Sequence, residues 1–272
     1  DGLSGHDDTL KAAYGDGEGK PDAAKAKKVL EDAGRFDLVV CCGGDGTLNE
    51  MVSGMMQRQD RRPMGYIPLG STNDLAVSLR LPTRVEEAAL RAVTGNEFHM
   101  DVGTLNDRYF NYIAAFGAFT ETSYATPQEI KNALGHLAYI LEGVKSLGKI
   151  LPIHVKITAD DEQFEEDYLF GAVTNTISLG GVLKLDPEKV LLDDGMYELL
   201  LVKNPTNALE AQAMLTAIMT QNFDGPLVKM FHASDITFES SHEISWTIDG
   251  EYGGTFSHTH ILNNKNAVTL IV

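Results

Sequence analysis

The stretch "VVCCGGDGTLNE", residues 39–50, joins an apolar segment to three glycines, one carboxylate and a helix-like segment. The continuous apolar run 36–42 is typical of a strand in a parallel sheet that is covered on both faces. Glycines between such a strand and a helix expose the free N–H groups of the helix start, which favour an anion. Because glycine has no Cβ atom, a phosphate can approach the backbone closely. Residues 43–47, the first glycine loop, therefore predict a nucleotide-phosphate site.

Asp45 is a carboxylate inside this loop, where it would repel a phosphate. A Mg²⁺ ion between the two, held directly or through water, removes the conflict. The alternative is an ordinary strand–turn–helix connection with Asp45 as a turn residue. A glycine cluster by itself favours that alternative.

The segment "PLGSTNDLA", residues 68–76, repeats the pattern of an apolar strand, a glycine and polar residues that open a helix. We call residues 69–73 the second glycine loop. The functional interpretation assigns Ser71 and Asn73 to phosphate or ribose contacts and Asp74 to the metal or base network. The local alternative is a capping box from Ser71 to Asp74, with Asp in place of the usual Glu or Gln.

The order of elements along the chain predicts two domains. Strand and helix patterns alternate up to about residue 95, which indicates an α/β layer. Later segments such as "IHVKIT", "MYELLLV", "DITFES", "ISWTIDG" and "AVTLIV" are strand-like. We predict an α/β nucleotide-binding domain with a parallel-sheet layer at 1–98, and a mainly antiparallel, β-rich substrate domain at 99–272. Helices are predicted at about 21–33, 127–149 and 206–221.

The charge and composition of the chain exclude some classes of function. The 22 Lys and Arg residues against 39 Asp and Glu give a formal charge of −17, so a broad basic face for nucleic acid is excluded. The same charge argues against general electrostatic adhesion to an anionic membrane. The two cysteines are neighbours in a strand and point to opposite faces, which argues against a disulfide between them. With no signal peptide and no apolar run near 18 residues, we expect a cytoplasmic, soluble chain.

The sequence "GGDGTLNE" followed by "LGSTNDLA" resembles the bacterial lipid kinases of the diacylglycerol kinase catalytic-domain family. This family includes sphingosine and ceramide kinases and is more distantly related to NAD kinases and phosphofructokinases. Three later segments resemble it in family order: "DVGTLNDRYFNYIAAFGAFTETSY", "SLGGVLKLDPEKVLLDDGMYELLLV" and "WTIDGEYG". The family's first strand and N-P-x-S-G loop have no match, which predicts that this chain begins after them.

The resemblance implies an ATP- and Mg²⁺-dependent kinase that phosphorylates a lipid hydroxyl, with diacylglycerol as the expected substrate and phosphatidate as the product. It gives the catalytic magnesium to Asp45 and Asp74 and the role of general base to Glu251. It also implies a structural magnesium held by Asp194 with the carbonyls of Leu191 and Met196. The residues predicted to bind the nucleotide are Gly43, Gly44, Asp45, Gly46, Thr47, Leu48, Asn49, Glu50, Gly70, Ser71 and Asn73.

Other interpretations stay open at this point. "DDG" and "DGE" are ordinary turn sequences, and each taken singly is better explained as a hairpin than as a site. An NAD kinase-like phosphotransferase is the second candidate, because NAD kinases share GGDGT. A non-catalytic nucleotide-binding domain is the third. The lipid kinase interpretation further predicts transient contact with the membrane surface that carries the lipid alcohol, and it predicts no nucleic-acid partner. A homodimer is possible under this interpretation.

Overall fold

The computed structural model describes residues 36–118, 151–179, 183–186, 188 and 190–272. The chain forms two compact units: unit 1 runs to Met100 and includes Asn266–Val272, and unit 2 is Asp101–Lys265. The helices predicted at 21–33 and 127–149 lie outside the described residues. The domain limits 1–98 and 99–272 stay a prediction, since residues 1–35 and 119–150 are not described.

The described part of unit 1 contains short strands, three helices and the ends of two long strands that continue into unit 2. Its strands are β1 (Val39–Gly43) and β2 (Met64–Pro68), with the ends of β3 (Glu97–Leu105) and β13 (Glu251–Ile271). Its helices are α1 (Asp45–Met56), α2 (Asp74–Ser78) and α3 (Val85–Thr94).

Strand β2 pairs in parallel with β1, where Val39 lies opposite Met64, and in parallel with the end of β13. Most strand pairs among the described residues are antiparallel, so a parallel-sheet layer across the whole N-terminal domain is not established. A two-domain architecture with a β-rich C-terminal part is confirmed.

Helix α1 shows why the residues after the first glycine loop form a helix. Gly44 has an extended conformation at the N-cap, and the acidic Asp45 follows in the first turn, where the helix dipole favours negative charge. Buried side chains then recur at helical spacing. They are Leu48, Met51, Val52, Met55 and Met56.

Unit 2 is built mainly from antiparallel strands. The further strands are β4 (Arg108–Phe110), β5 (Ile113–Gly117), β6 (Ile153–Ala159), β7 (Glu162–Thr174), β8 (Ser178–Leu179), β9 (Leu183–Lys184), β10 (Tyr197–Lys203), β11 (Val228–Ala233) and β12 (Asp235–Ile248). Paired strands follow the order β13, β12, β5, β7, β10, β11, and β6 pairs with both β12 and β7. The segment "DITFES" and the "ISWTI" part of "ISWTIDG" belong to one long strand, β12, whose pairing with β13 shifts register between Glu239 and Ile244.

The helix predicted at about 206–221 is α4 (Ala208–Thr220). The Oδ1 atom of Asn207 accepts the N–H of Glu210 at 2.9 Å, and the Glu210 carboxylate accepts the N–H of Thr206 at 2.7 Å. This reciprocal capping explains where the helix begins. None of the helices in the described part of the chain is both long and apolar enough to span a bilayer.

An aromatic cluster occupies the core of unit 2. Phe116, Phe238 and Trp246 are buried, with ring centroids between 4.9 and 5.7 Å apart. They come from β5 and β12, so the cluster joins segments that are distant in the sequence. Packing of this kind contributes about 0.5–1.5 kcal/mol per aromatic pair beyond the buried area.

Phe238→Ala should lower the free energy of unfolding by about 3–5 kcal/mol, because it leaves a cavity beside two aromatic rings. Trp246 is the only tryptophan, so its fluorescence in a denaturant titration reports on this core. The control is Leu262→Ala on β13, whose side chain is partly exposed. Equal losses for the two variants would contradict the assignment of this core.

Candidate functional site

The two glycine loops of unit 1 touch through their backbones. A Cβ atom on Gly70 would lie 2.6 Å from the Cα of Gly44, and one on Gly44 would lie 3.2 Å from the Cα of Gly70. The N–H of Leu69 donates to the carbonyl of Gly43 at 2.8 Å. Glycine is therefore required at this crossing for steric reasons, which the sequence spacing alone does not reveal.

Asn73 and Tyr66 hold the second loop in this position. The Oδ1 atom of Asn73 accepts the N–H of Gly70 at 2.9 Å, and its Nδ2 atom donates to the Gly70 carbonyl at 2.7 Å. The Tyr66 hydroxyl lies 3.3 Å from both Asn73 Oδ1 and the carbonyl of Gly43. Asn73 has a left-handed conformation, with φ of 53°. Its amide is thus used inside the loop, and Tyr66 is a positioning residue that the sequence analysis missed.

Asp45 and Asp74, which are 29 positions apart, come together where the loops meet. The Oδ2 atom of Asp45 accepts the N–H of Asp74 at 3.3 Å. Burial raises the pKa of Asp45, and the backbone N–H groups of Asp74, Leu75 and Asn73 counteract this in part. Asp74 itself is only 3% exposed.

One carboxylate oxygen of Asp45 lacks a hydrogen-bond donor in the described part of the chain. The Oδ1 atom of Asp45 is buried and has no hydrogen-bond donor among the described residues. A buried carboxylate oxygen without a partner is unfavourable, and a cation or a donor on a ligand would satisfy it. Oxygen is also the ligand that Mg²⁺ prefers. Asp45 therefore fits the predicted magnesium.

The other predicted nucleotide-binding residues differ in how they could reach a ligand. Ser71 and Gly70 are exposed, whereas Leu48 is fully buried and could contact a nucleotide only through its backbone. The side chain of Thr47 packs over Gly43, where a Cβ atom would lie 2.7 Å from it. Gly46, Asn49 and Glu50 are partly buried along the first turns of α1. Their roles stay predictions.

Glu251 lies at the tip of the β12–β13 hairpin in unit 2. Ile248 pairs with Glu251, and the two residues between them, Asp249 and Gly250, have φ of 47° and 83°. This is the Asp-Gly type I′ turn that hairpins favour. The hairpin interpretation of "DGE" is thus correct for the backbone. It leaves Glu251 exposed, and its role as a base stays a prediction.

The "DDG" segment forms a turn in which two of the predicted magnesium ligands, Asp194 and Met196, already have hydrogen-bond partners. The Oδ1 atom of Asp194 accepts the N–H of Met196 at 2.9 Å, and the Met196 carbonyl accepts from Asn263 at 3.3 Å. The Lys265 ammonium donates to the Asp194 carbonyl at 3.0 Å, which puts a positive charge beside the segment. Among the described residues, no three His, Cys, Asp or Glu side chains form a metal-binding group. The contacts therefore do not by themselves indicate a cation here.

Asp101 anchors this turn from β3 and was missed by the sequence analysis. It is fully buried, and its Oδ2 atom accepts the N–H of Gly195 at 2.7 Å and the amide of Asn263 at 3.2 Å. Gly195 has φ of 85°, a conformation that glycine adopts readily. Asp101 lies inside β3, between Met100 and Val102, and no local motif marks it in the sequence.

Comparisons with known proteins identify two domains in this chain. Residues 9–105 match the model of the diacylglycerol kinase catalytic domain, and residues 119–271 match the YegS C-terminal NAD kinase beta sandwich-like domain. A diacylglycerol kinase of Bacillus subtilis (strain 168) is 34% identical over 239 residues, which are 85% of this chain and 78% of that protein. A diacylglycerol kinase of Staphylococcus saprophyticus is 34% identical over 230 residues, 85% of this chain and 74% of that one.

A solved structure shares the fold. The crystal structure of a diacylglycerol kinase from Bacillus anthracis str. Sterne superimposes with a TM-score of 0.70 at 23% identity, covering 97% of this chain and 87% of that one. Two consecutive domain models and relatives at 34% identity over most of their length lead to one conclusion: this chain belongs to the diacylglycerol kinase family.

Proposed function

We propose that this protein is an ATP- and Mg²⁺-dependent lipid kinase that phosphorylates the hydroxyl of diacylglycerol to give phosphatidate. The observation that carries the proposal is the contact of two glycine loops beside Asp45, whose buried Oδ1 atom has no donor among the described residues. Relatives named diacylglycerol kinase support the lipid acceptor. A kinase-type activity follows from the family itself.

The first glycine loop supplies the phosphate-binding part of the proposal. Helix α1 begins at Asp45, so the N–H groups of its first turn have no carbonyl partner within the helix. These groups and the positive end of the helix dipole attract phosphate oxygens. Gly44 and Gly70 carry no Cβ atom that would hold the triphosphate away from the backbone. We also propose that β1 and β2 belong to a parallel layer of the N-terminal domain.

The carboxylates of Asp45 and Asp74 are proposed to hold the catalytic magnesium. A magnesium ion bound there would neutralise charge on the triphosphate. Burial raises the pKa of Asp45, and the backbone N–H groups around it partly offset this by favouring the ionised form, which is the form that binds a cation. The structural magnesium predicted at Asp194, Leu191 and Met196 remains part of the proposal but enters no step of the reaction.

Glu251 is proposed as the general base in unit 2. Its side chain is exposed, so a substrate hydroxyl can reach it. As the hydroxyl oxygen bonds to the γ-phosphorus, the bond from the γ-phosphorus to the β,γ-bridging oxygen breaks, ADP leaves and Glu251 takes the hydroxyl proton. Phosphoryl transfer depends mainly on positioning and charge stabilisation, so one well-placed carboxylate is sufficient as a base.

One experiment distinguishes the proposed function from two other candidate functions. The C-terminal match to a NAD kinase beta sandwich-like domain favours an NAD kinase-like phosphotransferase as the second candidate. The third is a non-catalytic nucleotide-binding domain. The full-length protein should be incubated with labelled ATP, Mg²⁺ and either NAD or micelles of diacylglycerol, ceramide or sphingosine. Labelled phosphatidate supports the proposal, labelled NADP supports the second candidate, and bound ATP without transfer supports the third.

A lipid acceptor requires the protein to reach a membrane surface. We propose a cytoplasmic protein that makes transient contact with the membrane carrying its substrate, and that has no nucleic-acid partner. With a formal charge of −17, broad electrostatic attraction to anionic lipid cannot drive that contact. A homodimer is compatible with the proposal and would be detected by sedimentation.

Asp45→Asn should reduce turnover by about 10²-fold or more, because it removes the charge that would support the metal while keeping the side-chain volume. The kinase rate and the circular dichroism spectrum should be measured together. Asp60→Asn is the control, since Asp60 is exposed in the same unit and pairs with Arg58 at 2.7 Å. A folded Asp45→Asn protein with a near-normal rate would reject the metal role.

Gly70→Ala should raise the Kd for ATP by about tenfold, since the new methyl group forces the loops apart at their contact with Gly44. The control is Gly225→Ala, where the nearest atom to an added Cβ is a carbonyl oxygen at 3.8 Å. Calorimetric titration with ATP measures both variants. If Gly70→Ala binds ATP as tightly as the wild type, the crossing of the loops is not part of the nucleotide site.

Glu251→Gln should lower kcat by about 10²–10⁴-fold, because Gln keeps the size and hydrogen-bonding ability but cannot take a proton. The Kd for ATP should change little. Glu243→Gln on the same hairpin is the matched control, as Glu243 is also exposed. A kcat within a few-fold of the wild type would remove Glu251 from the mechanism.

A further inference from the structure

We infer that Asp249 is the positioning residue of the proposed base: its carboxylate fastens the tip of the β12–β13 hairpin to the start of β5 and so holds Glu251 in place. The inference rests on the proposed function, since it concerns how Glu251 is held. All the residues involved belong to unit 2.

The carboxylate of Asp249 is saturated by the backbone of one short segment. Its Oδ2 atom accepts the N–H of Asn111 at 2.7 Å, and its Oδ1 atom accepts those of Tyr112 and Ile113 at 3.0 and 3.1 Å. The N–H of Asp249 donates to the Ile113 carbonyl at 2.9 Å. Asp249 is only 5% exposed, so these charge-assisted bonds are shielded from water. Four hydrogen bonds thus join one turn residue to the segment 111–113.

These bonds extend beyond the strand pairing. The ladder between β12 and β5 pairs Trp246 with Phe116 and ends where Ile248 pairs with Ala114. The turn that follows has no strand partner in this ladder. The Asp249 carboxylate therefore fixes the tip of the hairpin, where the ladder ends.

The turn itself does not require a carboxylate. Type I′ turns accept Asn-Gly as well as Asp-Gly, because both Asn and Asp tolerate a positive φ. The three backbone N–H donors, in contrast, use both carboxylate oxygens of Asp249. An Asn side chain has an NH₂ group in place of one of these oxygens, so it cannot accept all three hydrogen bonds. Asp249→Asn therefore preserves the turn and weakens its attachment to β5.

Glu251 depends on this attachment because its own side chain has no partner among the described residues. In the part of the chain that the structure describes, the Glu251 carboxylate makes no hydrogen bond or ion pair, and the residue is exposed. Its location is therefore set by the backbone of the hairpin tip. A displacement of about 1 Å in a catalytic group can reduce a rate by about 10²-fold.

A second hairpin in unit 2 provides a matched control. Asp160, at the turn between β6 and β7, has φ of 46°, and its Oδ1 atom accepts the N–H of Asp235 at 3.0 Å and the hydroxyl of Ser234 at 3.0 Å. This carboxylate likewise ties a turn to the start of another strand. The hairpin that it serves carries no residue of the proposed site.

The test is a double-mutant cycle in the full-length protein, with Asp249→Asn, Glu251→Gln, the double variant and Asp160→Asn. We expect Asp249→Asn to lower kcat by about 10- to 100-fold, with the KM for ATP within about twofold of the wild type. In the Glu251→Gln background the same change should have little further effect on kcat, because its effect acts through Glu251. Asp160→Asn should lower the thermal midpoint but leave kcat near the wild-type value.

The outcomes separate this inference from the proposed function. Wild-type protein that makes no labelled phosphatidate overturns the proposed function. A nearly normal kcat for Glu251→Gln leaves the kinase activity standing but overturns both the base role of Glu251 and this inference. A strong loss for Glu251→Gln overturns only the role of Asp249 if Asp249→Asn is silent, or if its effect is the same in both backgrounds. A kcat loss in Asp160→Asn equal to that of Asp249→Asn also overturns it, because the effect would then be one of stability.

If Asp249→Asn does not fold, Gly250→Ala decides the question. Gly250 has φ of 83°, and an added Cβ would meet its nearest atom, the Tyr112 hydroxyl, at 4.0 Å. The substitution therefore strains the turn without a clash. A kcat loss that disappears in the Glu251→Gln background supports the inference, and a loss of equal size in both backgrounds, or none, overturns it.

Discussion

The contact between the backbones of Gly44 and Gly70 is the constraint on which the rest of unit 1 depends. Two loops that follow neighbouring strands can approach this closely only because neither residue has a Cβ atom. The approach brings the N–H of Asp74 to the carboxylate of Asp45 at the start of α1. The proposed phosphate site and its carboxylates thus depend on one steric condition.

In unit 2, a buried carboxylate accepts hydrogen bonds from backbone that is distant in the sequence and so holds a turn in place. Asp249 holds the hairpin tip to the segment 111–113, and Asp101 holds the turn at Gly195. In both cases backbone N–H groups replace the water that the carboxylate loses on burial, which makes the buried charge tolerable. Carboxylates in this unit therefore determine where turns lie. This use of acidic residues differs from the proposed role of Asp45, whose Oδ1 atom is left without a donor among the described residues.

Several strands and helices could be predicted from short stretches of sequence, because the residues that favour them are neighbours in the chain. The apolar run before the first glycine loop forms β1, and the helical spacing after it forms α1. The segment "PLGSTNDLA" also contains a helix start, as predicted, and the helix that follows is α2. The phosphate or ribose contact of Asn73 stays a prediction; the structure adds that its amide bonds to both the N–H and the carbonyl of Gly70.

The sequence by itself determined the family, the glycine loops, the β-rich second half and the Asp-Gly turn before Glu251, since each depends on residues that are near one another in the chain. Only the tertiary structure decided which carboxylates are bound and which are left without a donor. Asp45 meets Asp74 across 29 positions, and Asp249 meets residues 111–113 across 136 to 138 positions. Such contacts arise from strand pairing and close packing of distant segments, and no spacing within a motif encodes them.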